Sequence, residues 1–179
     1  MSPRLAPTAV LLAAIAAGTV SSGAQQPTAA PYPLDNVPDK MPFDIPYGAP
    51  ISLERAEAAI AAAVAEARKH DWKLNVAVVD SGGNLVAFQR MDGAQLASIQ
   101  VAEHKARASA TFRRETKVFE VGIQQSGYNY ILTLDGVIAS RGGIPLIEAG
   151  KLVGAIGCSG GTGSQDEVAC KAGVAAISK

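Results

Sequence analysis

The chain has 179 residues with 16 basic and 16 acidic side chains, and 48% of its residues are hydrophobic. A zero net charge argues against nucleic-acid binding, which requires a basic surface, and the apolar content excludes a wholly disordered chain. Aromatic residues make up only 5%, so the core must be built from aliphatic side chains. The composition predicts one compact domain and leaves its chemistry open.

Residues 1–24 have the pattern of a signal peptide. Arg4 supplies a positive charge, an uncharged apolar run follows over 9–17, and the Ser-Gly-Ala sequence at 22–24 is typical of a cleavage site. The apolar run is shorter than the roughly 20 residues that span a bilayer, which disfavours a membrane anchor. We therefore expect a periplasmic or secreted protein with no membrane span after signal cleavage.

The next segment, residues 25–50, contains seven of the ten prolines. Proline fixes φ and lacks a backbone donor, which excludes a helix or a central strand. We interpret this segment as an extended leader, either disordered or lying along a partner subunit. The folded domain is then expected over residues 51–179.

Hydrophobic periodicity predicts a helix followed by a hairpin at the start of this domain. The helix is expected to run from Ser52, its N-cap, to about Lys69. Strands are expected over 74–80 and 85–90, joined by the Ser-Gly-Gly-Asn turn between them.

The second half of the domain repeats this alternation of helix and hairpin. A helix is expected over 98–112, and residues 128–134 fit either a strand or a short helix. Strands over 144–148 and 151–157 form a second hairpin, and Ser164 begins the last helix with capping-box spacing. Because hairpins imply antiparallel pairing, the predicted fold class is α+β, with helices packed on an antiparallel sheet.

Cys158 and Cys170 are the two cysteines of the chain. In an oxidising compartment such a pair favours a disulfide, and the glycines between them permit the required chain reversal. Two alternatives remain open. Both thiols are free and buried, or Cys158 is a reactive thiol at a helix N-terminus.

The helix over 98–112 carries a polar face opposite its alanine stripe. At 100° per residue, His104, Arg107 and Thr111 fall on this face. A solvated surface is the ordinary explanation, although the small residues beside it also favour packing against another subunit. His104 and Arg107 then suit a ligand, with an imidazole for a metal and a guanidinium for a carboxylate. No spacing in the chain marks a catalytic pair or triad.

Short motifs are spread through the domain: AVVDSGG at 77–83, RMDGA at 90–94, KA at 105–106, RET at 114–116, GGIPL at 142–146, GAIGCSGG at 154–161 and QDE at 165–167. In these the domain resembles the GlcG/HbpS-like heme-binding family, which is related to the C-terminal domain of PduO-type proteins. The resemblance implies a profilin-like, five-stranded antiparallel sheet flanked by helices, homo-oligomers and heme binding. The chain departs from the family pattern at Cys158, where an aliphatic residue is usual, and at His104.

Heme requires an apolar slot, an axial ligand for the iron and cations for its two propionates. The candidate axial ligand is His104, with His70 as the alternative and Thr116 or Tyr128 as weaker choices. Basic side chains follow in a local group at Arg107, Arg113, Arg114 and Lys117, and the full set of candidate cofactor-binding residues is His104, Arg107, Thr111, Arg114 and Thr116. In a chain with few aromatics, we expect the slot at a subunit interface.

The sequence thus predicts an exported heme-binding homo-oligomer that binds, stores or senses heme or iron. The alternative is an enzyme or accessory protein acting on a small organic acid, as in glycolate-type metabolism. In that alternative Arg107 or Arg114 holds the carboxylate and His104 acts as a base. A third interpretation is a structural or signalling partner without a ligand.

Overall fold

The structure is a computed structural model that describes residues 33–178. The predicted signal peptide and residues 25–32 of the leader lie outside this range. The chain divides into two compact units, the first ending at Asp39 and containing a 3₁₀ turn at Pro33–Asp35. The second unit begins at Lys40 and contains the whole domain. None of the helices within residues 33–178 combines the length and the apolarity needed to cross a membrane.

The domain is α+β, as predicted, and its sheet is antiparallel with the strand order β2-β1-β4-β3. Its elements in chain order are α1 (Leu53–Lys69), β1 (Asn75–Asp80), β2 (Leu85–Arg90), α2 (Ser98–Phe112), α3 (Lys117–Gln124), a 3₁₀ helix (Asn129–Thr133), β3 (Gly143–Glu148), β4 (Lys151–Ser159) and α4 (Gly163–Ile177).

The sheet of the described domain has four strands, so the expectation of five is wrong. The segment that fitted either a strand or a short helix forms the 3₁₀ helix. Its amides bond locally, with Ile131 N donating to Tyr128 O at 3.1 Å and Tyr128 N to Gly122 O at 2.9 Å. Those donors are therefore not available to a sheet ladder.

Helix boundaries follow the capping chemistry, with one correction. Ser52 caps α1 as predicted, its side chain accepting from Arg55 N. In α4, however, the cap is Thr162 and the capping box pairs it with Gln165, two residues before the predicted box. Glu167, expected to close that box from Ser164, is instead bonded to Lys171 at 2.5 Å.

The sheet is covered on both faces. Helices α1 and α4 pack on one face around Val76, Val78 and Ile156, and α2 packs on the other around Ala77 and Val79. Helix α2 sits so close that a side chain at Gly157 of β4 would collide with the backbone of α2. Gly157 of the GAIGCSGG motif is thus needed to seat this helix.

The predicted disulfide is present between Cys158 at the end of β4 and Cys170 in α4, with their Cα atoms 5.7 Å apart. Both residues are fully buried, and the bond ties the helix to the sheet. A free, reactive Cys158 is therefore excluded in this structure.

The end of the Pro-rich leader pairs with the domain of its own chain. Tyr47 forms a parallel bridge with Leu152 of β4. Gly48 N donates to Leu152 O at 2.7 Å, and Leu152 N donates to Pro46 O at 2.8 Å. This pairing begins where β1 ends, since Asp80 is the last β1 residue on β4 and lies opposite Gly154.

Candidate functional site

An apolar groove of about 980 Å³ lies at the C-terminal end of α2. Its walls come from α3, the 3₁₀ helix, strand β3 and the end of the leader. Helix α3 positions the buried ring of Phe119 in the groove, and the 3₁₀ helix adds the buried Ile131. Ile144 and Pro145 of β3 form another wall, and Phe43 and Ile45 approach from the leader. The groove is open and large enough for an organic molecule.

Aromatic side chains are concentrated here. Of the four Phe and four Tyr in the chain, five line this groove, namely Phe43, Phe112, Phe119, Tyr128 and Tyr130. Aromatic rings bury large area and determine the energetics of binding sites. Their clustering in an aromatic-poor chain indicates a binding surface rather than general core filling.

Arg114 is the charged group set among these rings. Its guanidinium carbon lies 3.4 Å from the centre of the Phe43 ring and 5.7 Å from that of Phe119. Its Nε donates to Phe112 O at 2.9 Å. No carboxylate within residues 33–178 forms an ion pair with it. Burial lowers the pKa of Arg114, although an arginine remains charged at any physiological pH.

The neighbouring cations at the groove are engaged within the protein. Arg113 Nη1 lies 3.9 Å from Asp44 Oδ1 and donates to Ile45 O at 3.1 Å. Lys117 Nζ bonds to Glu167 Oε1 at 3.1 Å. Within residues 33–178, Arg114 therefore differs from both in having no carboxylate beside its guanidinium.

The polar face of α2 does not contribute to the groove. His104 Nε2 lies 3.2 Å from Gly136 O, Arg107 Nε donates to Gly83 O at 3.3 Å, and Thr111 Oγ1 donates to Arg107 O at 2.9 Å. None of these three side chains is among those that line the groove within the described chain.

Thr116 and His70 also lie apart from the groove lining. Thr116 is fully buried; its Oγ1 donates to Ser140 O at 2.7 Å and accepts from Gly143 N at 3.0 Å. Its hydroxyl is thus occupied in joining α3 to β3. His70, at the end of α1, stacks on Trp72 with ring centres 4.4 Å apart.

Of the predicted ligand-binding residues, the structure brings Arg113, Arg114, Lys117 and Tyr128 together on one groove. Four further groove residues were not predicted from the sequence, namely Phe43 and Ile45 of the leader, Phe119 and Tyr130. A usable indication was present, because the stretch from 112 to 130 contains four of the chain's eight Phe and Tyr residues.

A second charged group, Lys105 with Asp166, is buried between α2 and α4. Lys105 Nζ lies 2.8 Å from Asp166 Oδ2 and donates to Cys158 O at 3.2 Å. Asp166 Oδ1 accepts from Gly161 N at 3.0 Å. Burial raises the pKa of Asp166, while Lys105 and the backbone donors oppose this shift. The pair is satisfied internally and serves the fold.

These features define an α+β domain that carries a ligand-sized apolar groove, at which Arg114 has no carboxylate partner among residues 33–178. The sequence model of the family described as "Haem degrading protein HbpS-like" matches residues 51–175. The chain belongs to this HbpS-like family, which confirms the resemblance inferred from its motifs.

Individual relatives agree with this assignment. Protein GlcG of Escherichia coli strain K12 is 38% identical over 109 residues, which are 61% of this chain and 81% of that protein. A double mutant of HbpS from Streptomyces reticuli has a TM-score of 0.68 and 30% identity, covering 86% of this chain and all of the other. A structure described as a PduOC:heme complex has a TM-score of 0.65 and 27% identity, covering 72% of this chain and 95% of that one.

Proposed function

We propose that this protein is an exported, homo-oligomeric protein that binds heme in the groove at the end of α2. Export is supported by the pattern of residues 1–24, and the ligand class by the HbpS-like family and its heme-bound structural neighbour. The observation that carries the proposal is Arg114, a half-buried cation without a carboxylate partner among the described residues.

An unpaired charge in apolar surroundings destabilises the protein unless a ligand of opposite charge binds to it. Arg114 has guanidinium N–H groups beyond the Nε that bonds Phe112 O, and these suit a carboxylate. A ligand with an apolar body and a carboxylate therefore satisfies both parts of the site. This favours a large apolar acid over a small organic acid, for which 980 Å³ of apolar groove is far too large.

The residues of the groove fit heme. The volume is at the upper end of the roughly 300–1,000 Å³ usual for cofactor sites. Arg114 would hold one propionate, whereas Lys117, at the same groove, is already bonded to Glu167. Tyr128 and Tyr130 line the groove, with ring centres 6.1 Å apart, and would supply phenol oxygens to the iron. Bound heme would give the site an iron centre for ligand binding or redox chemistry.

Hemin titration of the purified protein tests the proposal. Arg114→Met keeps the length of the side chain and removes its charge, while Arg68→Met makes the same change at an exposed site on α1. We expect saturable binding with a Soret shift in the wild type. Because a charge-assisted hydrogen bond contributes about 1.5–3 kcal/mol, Arg114→Met should weaken binding by at least roughly tenfold. Arg68→Met should bind like the wild type.

The spectra of the loaded protein identify the axial ligand. Tyr128→Phe or Tyr130→Phe should move the Soret and charge-transfer bands if a phenol oxygen binds iron, whereas the prediction for His104 requires His104→Ala to do so. Equal affinity in the two arginine variants, or no saturable binding by the wild type, would contradict the proposed function. A rise in melting temperature with small acids alone would favour the small-acid alternative.

A further inference from the structure

The end of the leader forms a wall of the groove although it precedes the region that matches the family. The family match begins at residue 51, whereas Phe43 and Ile45 line the groove. Both are partly buried, in contrast to the exposed residues 41 and 42 before them. The groove of this protein is therefore completed by residues from outside the family domain.

The attachment of this segment is specific. Tyr47 OH donates to Thr111 O at 2.8 Å, and Arg113 Nη1 donates to Ile45 O at 3.1 Å. The backbone pairing with Leu152 of β4 fixes the segment at Gly48. These bonds hold the chain at Ile45 and over the three residues that follow it, and Phe43 lies at the groove just before this attached segment.

Phe43 also covers the group proposed to receive the ligand's carboxylate. Its ring centre lies 3.4 Å from the guanidinium carbon of Arg114. An aromatic face at this distance stabilises the cation and excludes water from that side. The guanidinium carbon also lies 5.7 Å from the centre of the Phe119 ring, so two aromatic rings contact this cation.

We propose that residues 43–48 form a strap over the groove, and that Phe43 and Ile45 are ligand-contacting residues which retain the bound molecule. The inference rests on the proposed function, since the retained molecule is heme. Phe43 acts in two ways, as an apolar contact for the ligand and as the positioning residue for Arg114. A wall of this kind mainly lowers the rate at which the ligand dissociates, because contacts at an interface act chiefly on that rate.

The test measures hemin release from the loaded protein to an excess of apomyoglobin. Phe43→Ala removes the ring, and Met41→Ala makes a comparable truncation two residues earlier at a side chain that is 68% exposed. A lost aromatic contact of about 1.5 kcal/mol corresponds to a roughly tenfold change, so Phe43→Ala should release hemin about tenfold faster. Met41→Ala should stay within about twofold of the wild type, as expected for a surface substitution.

Two further variants separate the two roles of Phe43. Phe43→Tyr retains the aromatic face and should restore slow release, whereas Phe43→Leu encloses the groove without that face and should restore it only in part. Hydrogen exchange at Gly48, whose amide is bonded to Leu152 O, reports whether the strap stays attached in each variant. Unchanged exchange with faster release assigns the effect to Phe43 itself.

The outcomes distinguish this inference from the proposed function. Saturable hemin binding with equal release rates in Phe43→Ala and Met41→Ala overturns the strap and leaves heme binding intact. Faster release accompanied by rapid exchange at Gly48 in Phe43→Ala also overturns the specific role of the ring. No saturable hemin binding in the wild type overturns the proposed function and the strap with it.

Discussion

Lys105 of α2 and Arg114 of the turn after it are two cations in opposite environments. Lys105 is 1% exposed and bonds to Asp166 and to a backbone carbonyl. Arg114, just after the end of the same helix, lies over the rings of Phe43 and Phe119 and has no carboxylate partner in residues 33–178. The first cation is satisfied by the protein, and the second is presented to the groove.

The difference shows how to separate a structural charge from a ligand-binding one. Burial alone does not do so, since Lys105 is the more buried of the two. The deciding property is whether the polar atoms are already bonded, because a buried charge retained without a partner costs stability. Lys117 and Arg141 support this criterion, since both are bonded to Glu167.

The largest expected effect is the loss of the buried pair. Asp166→Asn keeps an acceptor for Gly161 N but leaves Lys105 charged and almost unpartnered inside the protein. Removing one partner of a buried pair costs about 3–5 kcal/mol, and urea unfolding should show a loss of this size. The exposed Asp135→Asn serves as control and should change little.

A double variant tests whether the loss of stability comes from the stranded charge of Lys105. Adding Lys105→Met to Asp166→Asn removes the stranded charge and should recover most of the lost stability. A loss below about 1 kcal/mol in Asp166→Asn would mean that the pair is not the structural element inferred here.

A smaller and pH-dependent effect is expected at Glu120 on α3. Its Oε1 accepts from Arg141 Nη2 at 2.6 Å and from Nε at 2.9 Å, and hydrogen bonding from Arg141 lowers the pKa of Glu120 from its ordinary 4.5. Because the folded pKa lies below the unfolded one, the stabilisation is present above pH 4.5 and is lost as the pH falls through the folded pKa. Glu120→Gln should lower the melting temperature at pH 7 by a few degrees.

The pH series decides the cause of that shift. The gap in melting temperature between the wild type and Glu120→Gln should close as the pH falls below 4.5 and through the folded pKa, below which the wild-type carboxyl is also neutral. The exposed Glu57→Gln should show no such gap at either pH. A gap that persists unchanged in acid would point to packing rather than charge.

Much of the fold could be predicted from local pattern. Helix α2 was predicted with the bounds Ser98–Phe112 that the structure has, and the disulfide followed from there being two cysteines. Helix α3 was not predicted, because Gly122 lies inside it. The space where its side chain would be is filled by Ile131, whose Cδ1 would lie 2.7 Å from an added Cβ. That compensation is tertiary and cannot be read from periodicity.

The site was harder to predict than the fold for a similar reason. The polar face of α2 suggested His104 and Arg107, but both bond to nearby backbone carbonyls. The groove instead joins the leader, α3 and β3, which are far apart in sequence. Arg114 was among the candidates, yet only the positions in space of the carboxylates in the described part of the chain show that none of them pairs with it.

The smallest expected effect is that of Arg114→Met on stability, and it is the closest test of the comparison. Methionine retains the contacts with Phe43 and Phe119, and it removes the cost of holding an unpaired charge in an apolar groove. Against this, the variant loses the bond from Nε to Phe112 O and a cation–π contact of about 0.5–1 kcal/mol. These terms offset one another, so urea unfolding of the ligand-free protein should change by less than about 1 kcal/mol. A loss above about 2 kcal/mol would assign Arg114 to the fold, as Lys105 is, and would remove the distinction on which the site was identified.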